Sequence, residues 1–244
     1  MNLSQLRENS LSMRLNRTAN LLLDRQLSKA WMAAQKQLYS EDTWFGMRRN
    51  LEEVFQKPKA KIDIAVRLIE QRDLSYLLST DGMTAEEAKV VGWQRKLLNA
   101  NFQNCYVAVT NDDTPCYMQW LIGPAENKNI LKSFRGLFPK LKEHEALLEG
   151  AYMHPSYRGL GVMPDAMYQI SEKAKDIGAS ETITFVQIDN TASLKGCKSC
   201  GYYPYTLLKR KWFLYKRDVY LQAIPDNTMA EYEAMITKKP RQKG

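Results

Sequence analysis

From residue 61 onward the apolar positions change period several times, and each change marks an element. Ile62, Ile64, Val66 and Leu68 alternate with polar or small residues, the pattern of a half-buried strand. Asp73 opens a helical run to Leu78, and Thr84 stands where it can cap a helix over Ala85–Leu98. NCYVAVT (104–110) and PCYMQWLIG (115–123) are rich in strand formers and joined by NDDT, which predicts a hairpin. GPAENKN reads as a loop, and LKSFRGLFPKL, with apolar anchors among Lys132, Arg135 and Lys140, as a lid. HEALLEGAYM (144–153) predicts a strand ending at His154-Pro155. A helix follows from about Pro164 to Ile177, with Met163, Met167, Ile170 and Ala174 on one face and Gly178 as its stop. TITFVQI (182–188) is a continuous apolar-rich run, expected to be buried on both faces. Asn190 opens a short helix that Gly201 ends, and TLLKRKWFLYKR (206–217) supplies one or two last strands.

Upstream the period is helical. Leu23, Leu27, Ala30, Trp31, Ala34 and Leu38 share one face across residues 17–39, and Trp44 to Phe55 reads as a second helix. KPKAK then breaks the pattern as a polar connector. The division expected is a helical extension over 1–60 packed on the main domain, that domain over 61–224, and a basic tail over 225–244.

Between the strand at 144–153 and the helix that follows lies HPSYRGLGVM (154–163). Gly159 and Gly161 free the backbone to approach a ligand and to turn successive N–H groups toward an anion. The helix start adds unpaired N–H groups and a positive dipole end. Arg158 adds formal charge, and Pro164 suits a first helical turn. The stretch therefore reads as a pyrophosphate site, set against the plainer reading of a tight turn. It lacks the Rossmann spacing and the Lys-Ser/Thr of a P-loop.

Composition narrows the ligand. The chain has 244 residues, is 44% hydrophobic and carries a formal charge of +8. That charge suits nucleic acid, an anionic surface or a polyanionic small molecule. Part of it sits in the terminal KKPRQKG, and no nucleic-acid module is visible. No apolar run is long enough to span a bilayer, and MNLSQLRENS lacks the order of a signal peptide. These features predict a cytoplasmic protein without membrane insertion. Cys197 and Cys200 have CxxC spacing, but Cys105 and Cys116 form no second close pair, so metal is not expected.

With these elements in place, HPSYRGLGV after a strand resembles the acetyl-CoA loop of the GNAT acyltransferase superfamily. The family pattern there is Arg/Gln-x-x-Gly-x-Gly/Ala. Arg158 and Gly161 match it, and Met163 stands at the last, small position. Asp189-Asn190-Thr191-Ala192-Ser193 with Gly201-Tyr202 resembles the family's next element, and VRLIEQRDLSYLL (66–78) its first strand and helix. The resemblance covers residues 61–217. It implies an α/β, mixed and mostly antiparallel sheet flanked by helices, and acyl transfer, most simply of acetyl, from acetyl-CoA to an amine.

It also implies roles. The backbone of Ala151, Tyr152 and Met153 would bind the pantetheine arm, and that of Arg158, Gly159, Leu160, Gly161, Val162 and Met163 the pyrophosphate. Asn190 and Ser193 would lie beside the thioester. The base is expected at Glu149, which by strand alternation shares a face with Glu145, Ala151 and Met153. The family's acid is often a tyrosine seven residues after the asparagine, where this chain has Cys197. Cys197 reads as an acid, a covalent nucleophile or a packed side chain, with Tyr202, Tyr203 and Tyr205 as substitutes. An amino sugar, an amino acid, another small amine or a protein amine all fit as acceptor. The alternative is a CoA-binding module without catalysis.

Overall fold

The computed structural model describes positions 31, 35 and 37–237. An eight-stranded sheet runs in the order β2-β3-β4-β5-β6-β1-β7-β8. Its strands are β1 (Tyr39–Asn50), β2 (Ile64–Leu68), β3 (Asn104–Thr110), β4 (Pro115–Ile122), β5 (Glu145–Met153), β6 (Glu181–Gln187), β7 (Tyr203–Phe213) and β8 (Lys216–Gln222). Helices α1 (Gln71–Leu77), α2 (Ala85–Asn99) and α3 (Asn127–Ser133) precede β5. Helices α4 (Val162–Glu172), α5 (Thr191–Ser199) and α6 (Asp226–Thr237) follow it. The mixed, mostly antiparallel sheet between helices is the expected fold class.

The hydrophobic core has two parts. One joins Val162, Ala166, Met167 and Ile170 of α4 to Leu194 and Cys197 of α5 and to Tyr232 of α6. The other joins Leu77 of α1, Val91 and Leu97 of α2 and Ile130 of α3 to Val107, Trp120 and Leu147 of the sheet. Tyr202 pins the first part: its buried hydroxyl bonds Ser171 Oγ and Thr182 Oγ1, each at 2.7 Å. Thr84 caps α2 and forms a capping box with Glu87.

Several expectations are corrected. The helix expected over Trp44–Phe55 is strand β1 through Asn50, antiparallel to β6 from Trp44↔Gln187 to Asn50↔Glu181. Its buried side chains are Phe45, Met47 and Arg49, and Gly46 between the first two is buried as well. This is a period of two that is hidden in sequence because a cation fills one inward position. Arg49 stacks on the Tyr168 ring, 4.0 Å to the centroid, and pairs with Glu172. The helix expected over 17–39 falls mostly outside the described residues. GPAENKN is a short 3-10 turn and the start of α3. The supposed lid is anchored: Phe134 stacks on Phe102 and meets Phe138, which stacks on Phe185. The segment read as a basic tail is helical from Asp226 to Thr237, and Tyr232 packs on Phe45 at 5.2 Å.

Residues 37–42 and 210–218 belong to a smaller compact unit. Within it, the Arg210 guanidinium bonds the Asp42 carboxylate and Leu214 N–H donates to Leu38 O.

The feature that makes room for a site is local. β5 and β6 are parallel and pair only over Glu145↔Glu181, Ala146↔Thr182 and Leu147↔Ile183. Beyond that β5 bulges. Its register with β4 shifts between Met118 and Trp120, and Gly150 takes φ +65°. A Cβ there would lie 2.4 Å from Leu97 Cδ1 and 2.8 Å from Trp120 Cε3. Gly150→Ala is therefore expected to cost about 2–4 kcal/mol, combining left-handed backbone with overpacking. Gly82→Ala, also at positive φ but with nothing within 4 Å, should cost only about 1–2 kcal/mol. Denaturant unfolding of the two variants checks the difference.

Candidate active site

The glycine loop meets the geometry of an anion cradle. Gly159 and Gly161 take φ +79° and +74°. Gly161 is the left-handed N-cap of α4, and no side chain caps that helix, so its first N–H groups are left for a ligand. The polar connector proves to be a brace for this loop. Lys61 N–H donates to Leu160 O at 2.8 Å, Ala60 N–H donates to Asp165 Oδ2 at 3.0 Å, and Lys57 pairs with Asp165 at 3.4 Å. Arg158 does not stand free at the mouth: its guanidinium holds Glu87 at 3.1 Å.

Two adjoining cavities flank the loop. One of about 390 Å³ is lined by Arg158, Gly159, Gly161, Val162, Met163 and Pro164, facing Met153 and Tyr117. The other, about 330 Å³, opens where β5 and β6 part and is lined by Glu149, Gly150 and Ala151 on one side and Thr184–Gln187 on the other. Ala151, Met163 and Ser193 line both. Asn190 lines the smaller cavity and caps α5, accepting from Ser193 N–H at 3.2 Å. Leu160 and Tyr152 line neither. Leu160 gives its carbonyl to the brace, and Tyr152 is buried among the α2-side residues.

Met163, the odd residue of the loop, is accommodated by a partner that sequence reading missed. A Cβ on Gly196 would sit 2.6 Å from Met163 Sδ. The methionine thus lies against a glycine of α5.

The bulge also rearranges the face on which Glu149 lies. Leu147 and Tyr152 belong to the α2-side core, whereas Leu148 and Met153 belong to the α4-side core. Alternation is reset at Gly150-Ala151, so Glu149 does not share a face with Met153 as simple alternation predicts. Glu149 instead points into the smaller cavity, where its carboxylate accepts from Trp93 and from the Gly150 N–H. Removal from water pushes its pKa up to about 7, and the two donors oppose that rise. Glu145 is elsewhere, buried beside Arg48 at 3.7 Å and Lys142 at 3.4 Å. With His144 and Glu181 it makes the one metal-like cluster among the described residues, but Arg48 also pairs with Glu181, at 3.3 Å, and so already balances its charge.

Cys197 lines the smaller cavity, 1% exposed, with its thiol 4.0 Å from Met167 Sδ. Burial pushes its pKa up to about 12, so it is a neutral thiol and a poor nucleophile. Tyr202 is spent on its two hydroxyl bonds, Tyr203 is exposed, and Tyr205 stacks on Arg48 at 4.2 Å. None of the three lines either cavity.

Trp93 and Gln94 were missed from the sequence. A legible signal existed for Gln94. It lies between Val91 and Leu97 at helical spacing, and these three are the buried residues of α2. A glutamine on the apolar stripe of a helix marks a polar demand inside.

The raised pKa of Glu149 has a stability consequence. In the unfolded chain the carboxyl ionises near its ordinary 4.5, in the native state near 7. The native state therefore binds more protons between these values, and this group's contribution to stability falls as pH rises through that window. Glu149→Gln removes the dependence. Its unfolding midpoint relative to the parent should be higher at pH 8 than at pH 5, as thermal melts at the two pH values will show.

Comparison with known proteins places this geometry. The acetyltransferase (GNAT) family model matches residues 76–202, just over half of the chain, and includes the loop, β5, β6, α5 and Tyr202. A fungal glucosamine N-acetyltransferase region, part of a multi-domain β-N-acetylglucosaminidase, is similar at 14% identity with TM-score 0.51, over 76% of this chain and 23% of that one. A GNAT acetyltransferase from Colwellia psychrerythraea is similar at 13% identity with TM-score 0.45, over 71% of this chain and 55% of that one. The chain thus spans about a quarter and about half of these two proteins. No curated protein sequence matches it. On this family match, the chain belongs to the acetyltransferase (GNAT) family.

Proposed function

We propose that the protein is an N-acetyltransferase that moves the acetyl group of acetyl-CoA to the amine of a small molecule, directly and within one ternary complex. The observation that carries this reading is a carboxyl group with pKa near 7, Glu149, facing a cavity that adjoins the glycine-loop cavity at Ala151, Met163 and Ser193. In this reading the pyrophosphate rests on the N–H groups from Gly159 to Met163 and on the start of α4. The pantetheine arm runs along Ala151–Met153, and the thioester arrives at the junction of the cavities. The acceptor fills the smaller cavity.

An ammonium is not nucleophilic, so it must lose a proton first. Glu149 takes that proton, directly or through water, with a pKa suited to neutral pH. The amine nitrogen then attacks the thioester carbonyl carbon, and the C–S bond breaks as the tetrahedral intermediate collapses. The thiolate leaves and takes up the second proton, which the attacking nitrogen sheds as it becomes an amide. Cys197 does not serve as a nucleophile in this scheme, because its thiol is buried and neutral at working pH. The cavity, about 330 Å³, is large enough to take a small amine.

A second reading, a CoA-binding module without turnover, draws on one observation: no tyrosine hydroxyl lines the smaller cavity among the described residues. Thiol release separates the two. Acetyl-CoA should raise the thermal midpoint, and amines should release free CoA. The kcat/KM profile should rise with pH along a limb near 7. Glu149→Gln should lose that limb and about 10²–10⁴ in rate, while Cys197→Ala keeps turnover. Stabilisation by acetyl-CoA without thiol release from any amine would favour the binding module.

A further inference from the structure

Resting on that acetyltransferase reading, we infer that the acceptor is a primary ammonium carried on an uncharged body, and that Gln94 is the residue that selects it. The smaller cavity has a simple charge plan. Its described lining contains one carboxylate, Glu149, and no lysine, arginine or histidine. The cation of the site, Arg158, lines the other cavity and is already paired with Glu87. An acceptor bearing a carboxylate or a phosphate would enter beside Glu149 with no countercharge. It would lose its hydration without return. An ammonium meets the opposite situation.

Gln94 supplies the specific contact. It is 1% exposed and lines the cavity, and its Oε1 is buried with no hydrogen-bond partner. A buried carbonyl left without a donor is costly, and an orphaned amide oxygen on a residue that lines a cavity points to a ligand donor. Of the cavity's other amides, Gln119 Oε1 accepts from the Tyr117 hydroxyl at 2.8 Å, Asn190 Oδ1 accepts from the Ser193 N–H, and Gln187 is exposed at the end of β6. Glu149 and Gln94 thus offer two acceptors to one ammonium, of which Glu149 takes a proton and Gln94 keeps the nitrogen in place. Gln94 is a specificity residue, distinct from the base. Trp44, Trp93, Phe185, Val186 and Met167 are among the remaining walls. They suit the face of an aromatic ring or of a sugar, and the tryptophans favour a nearby cation.

The test uses matched amines on the full chain saturated with CoA, so that binding is read without turnover. Tryptamine is paired with tryptophan, and glucosamine with glucosamine 6-phosphate, and each is titrated by calorimetry. Within at least one pair the uncharged-bodied member should bind about ten-fold or more tightly than its anionic partner, and neither anionic member should bind as tightly as its mate. Gln94→Leu should weaken the preferred amine about ten-fold, the loss of one hydrogen bond to a charged group. It should leave the thermal midpoint of the free protein unchanged or raised, because an apolar residue replaces an orphaned acceptor. Equal affinity within both pairs, or binding of none of the four, overturns the inference. So does a Gln94→Leu variant that melts lower yet binds the amine unchanged, since that marks a purely structural glutamine. CoA binding in the same samples reports on the acetyltransferase reading separately. If CoA binds and the preference is absent, only the acceptor assignment fails; if CoA does not bind, the proposed function fails with it.

Discussion

Everything at the site depends on where two parallel strands stop pairing. β5 and β6 hold each other over three residue pairs and then part. The parting is enforced from both sides. On β5, Gly150 at positive φ and the bulge opposite Gln119 turn the strand away, in a spot too tight for any Cβ. On β6, the strand remains paired to its far end by β1, up to Trp44↔Gln187. β6 is therefore kept straight while β5 leaves it, and the gap becomes a cavity instead of collapsing. A gap between strands exposes backbone groups that a sheet would normally satisfy, and these turn to water or to a ligand instead.

The same break organises the chemistry. By resetting alternation at Gly150-Ala151, the bulge leaves Glu149 facing a cavity rather than a continuing row of the sheet. The low-water setting of that cavity raises the carboxyl pKa into the neutral range, while Trp93 and the Gly150 N–H keep it oriented. One turn of chain later, the glycine loop and the uncapped start of α4 present N–H groups. The loop N–H groups and the Glu149 carboxylate thus stand on two cavities that share Ala151, Met163 and Ser193. The brace from Lys57 to Lys61 fixes the loop relative to α4 through Leu160 and Asp165.

Much of this was legible in the chain and some was not, for physical reasons that differ from element to element. The strands β3–β6 and helices α2, α4 and α5 announce themselves because their periods and caps agree: Thr84, Gly178, Asn190 and Gly201 all stand where the structure uses them. Strand β1 hid because Arg49, an inward position, is a cation satisfied by Glu172 and Tyr168. A pattern of apolar residues cannot register a buried charge. The aromatic anchors Phe134 and Phe138 looked like a lid because their partners, Phe102 and Phe185, are distant in sequence. Glu149 could be named from its place on the strand, but its face could not, since a bulge shifts parity without altering composition. Gln94 could be read as a glutamine on the apolar stripe of α2, whereas Gly196 is visible only against Met163.

The most direct measurement is the titration of the Glu149 carboxyl itself, by carbon-13 NMR on protein labelled at glutamate and assigned with Glu149→Gln. The account predicts a midpoint near pH 7, the result of a carboxyl held out of water in the gap between β5 and β6. A midpoint at the ordinary glutamate value of 4.5 would show that water fills the gap and that no base has been prepared there.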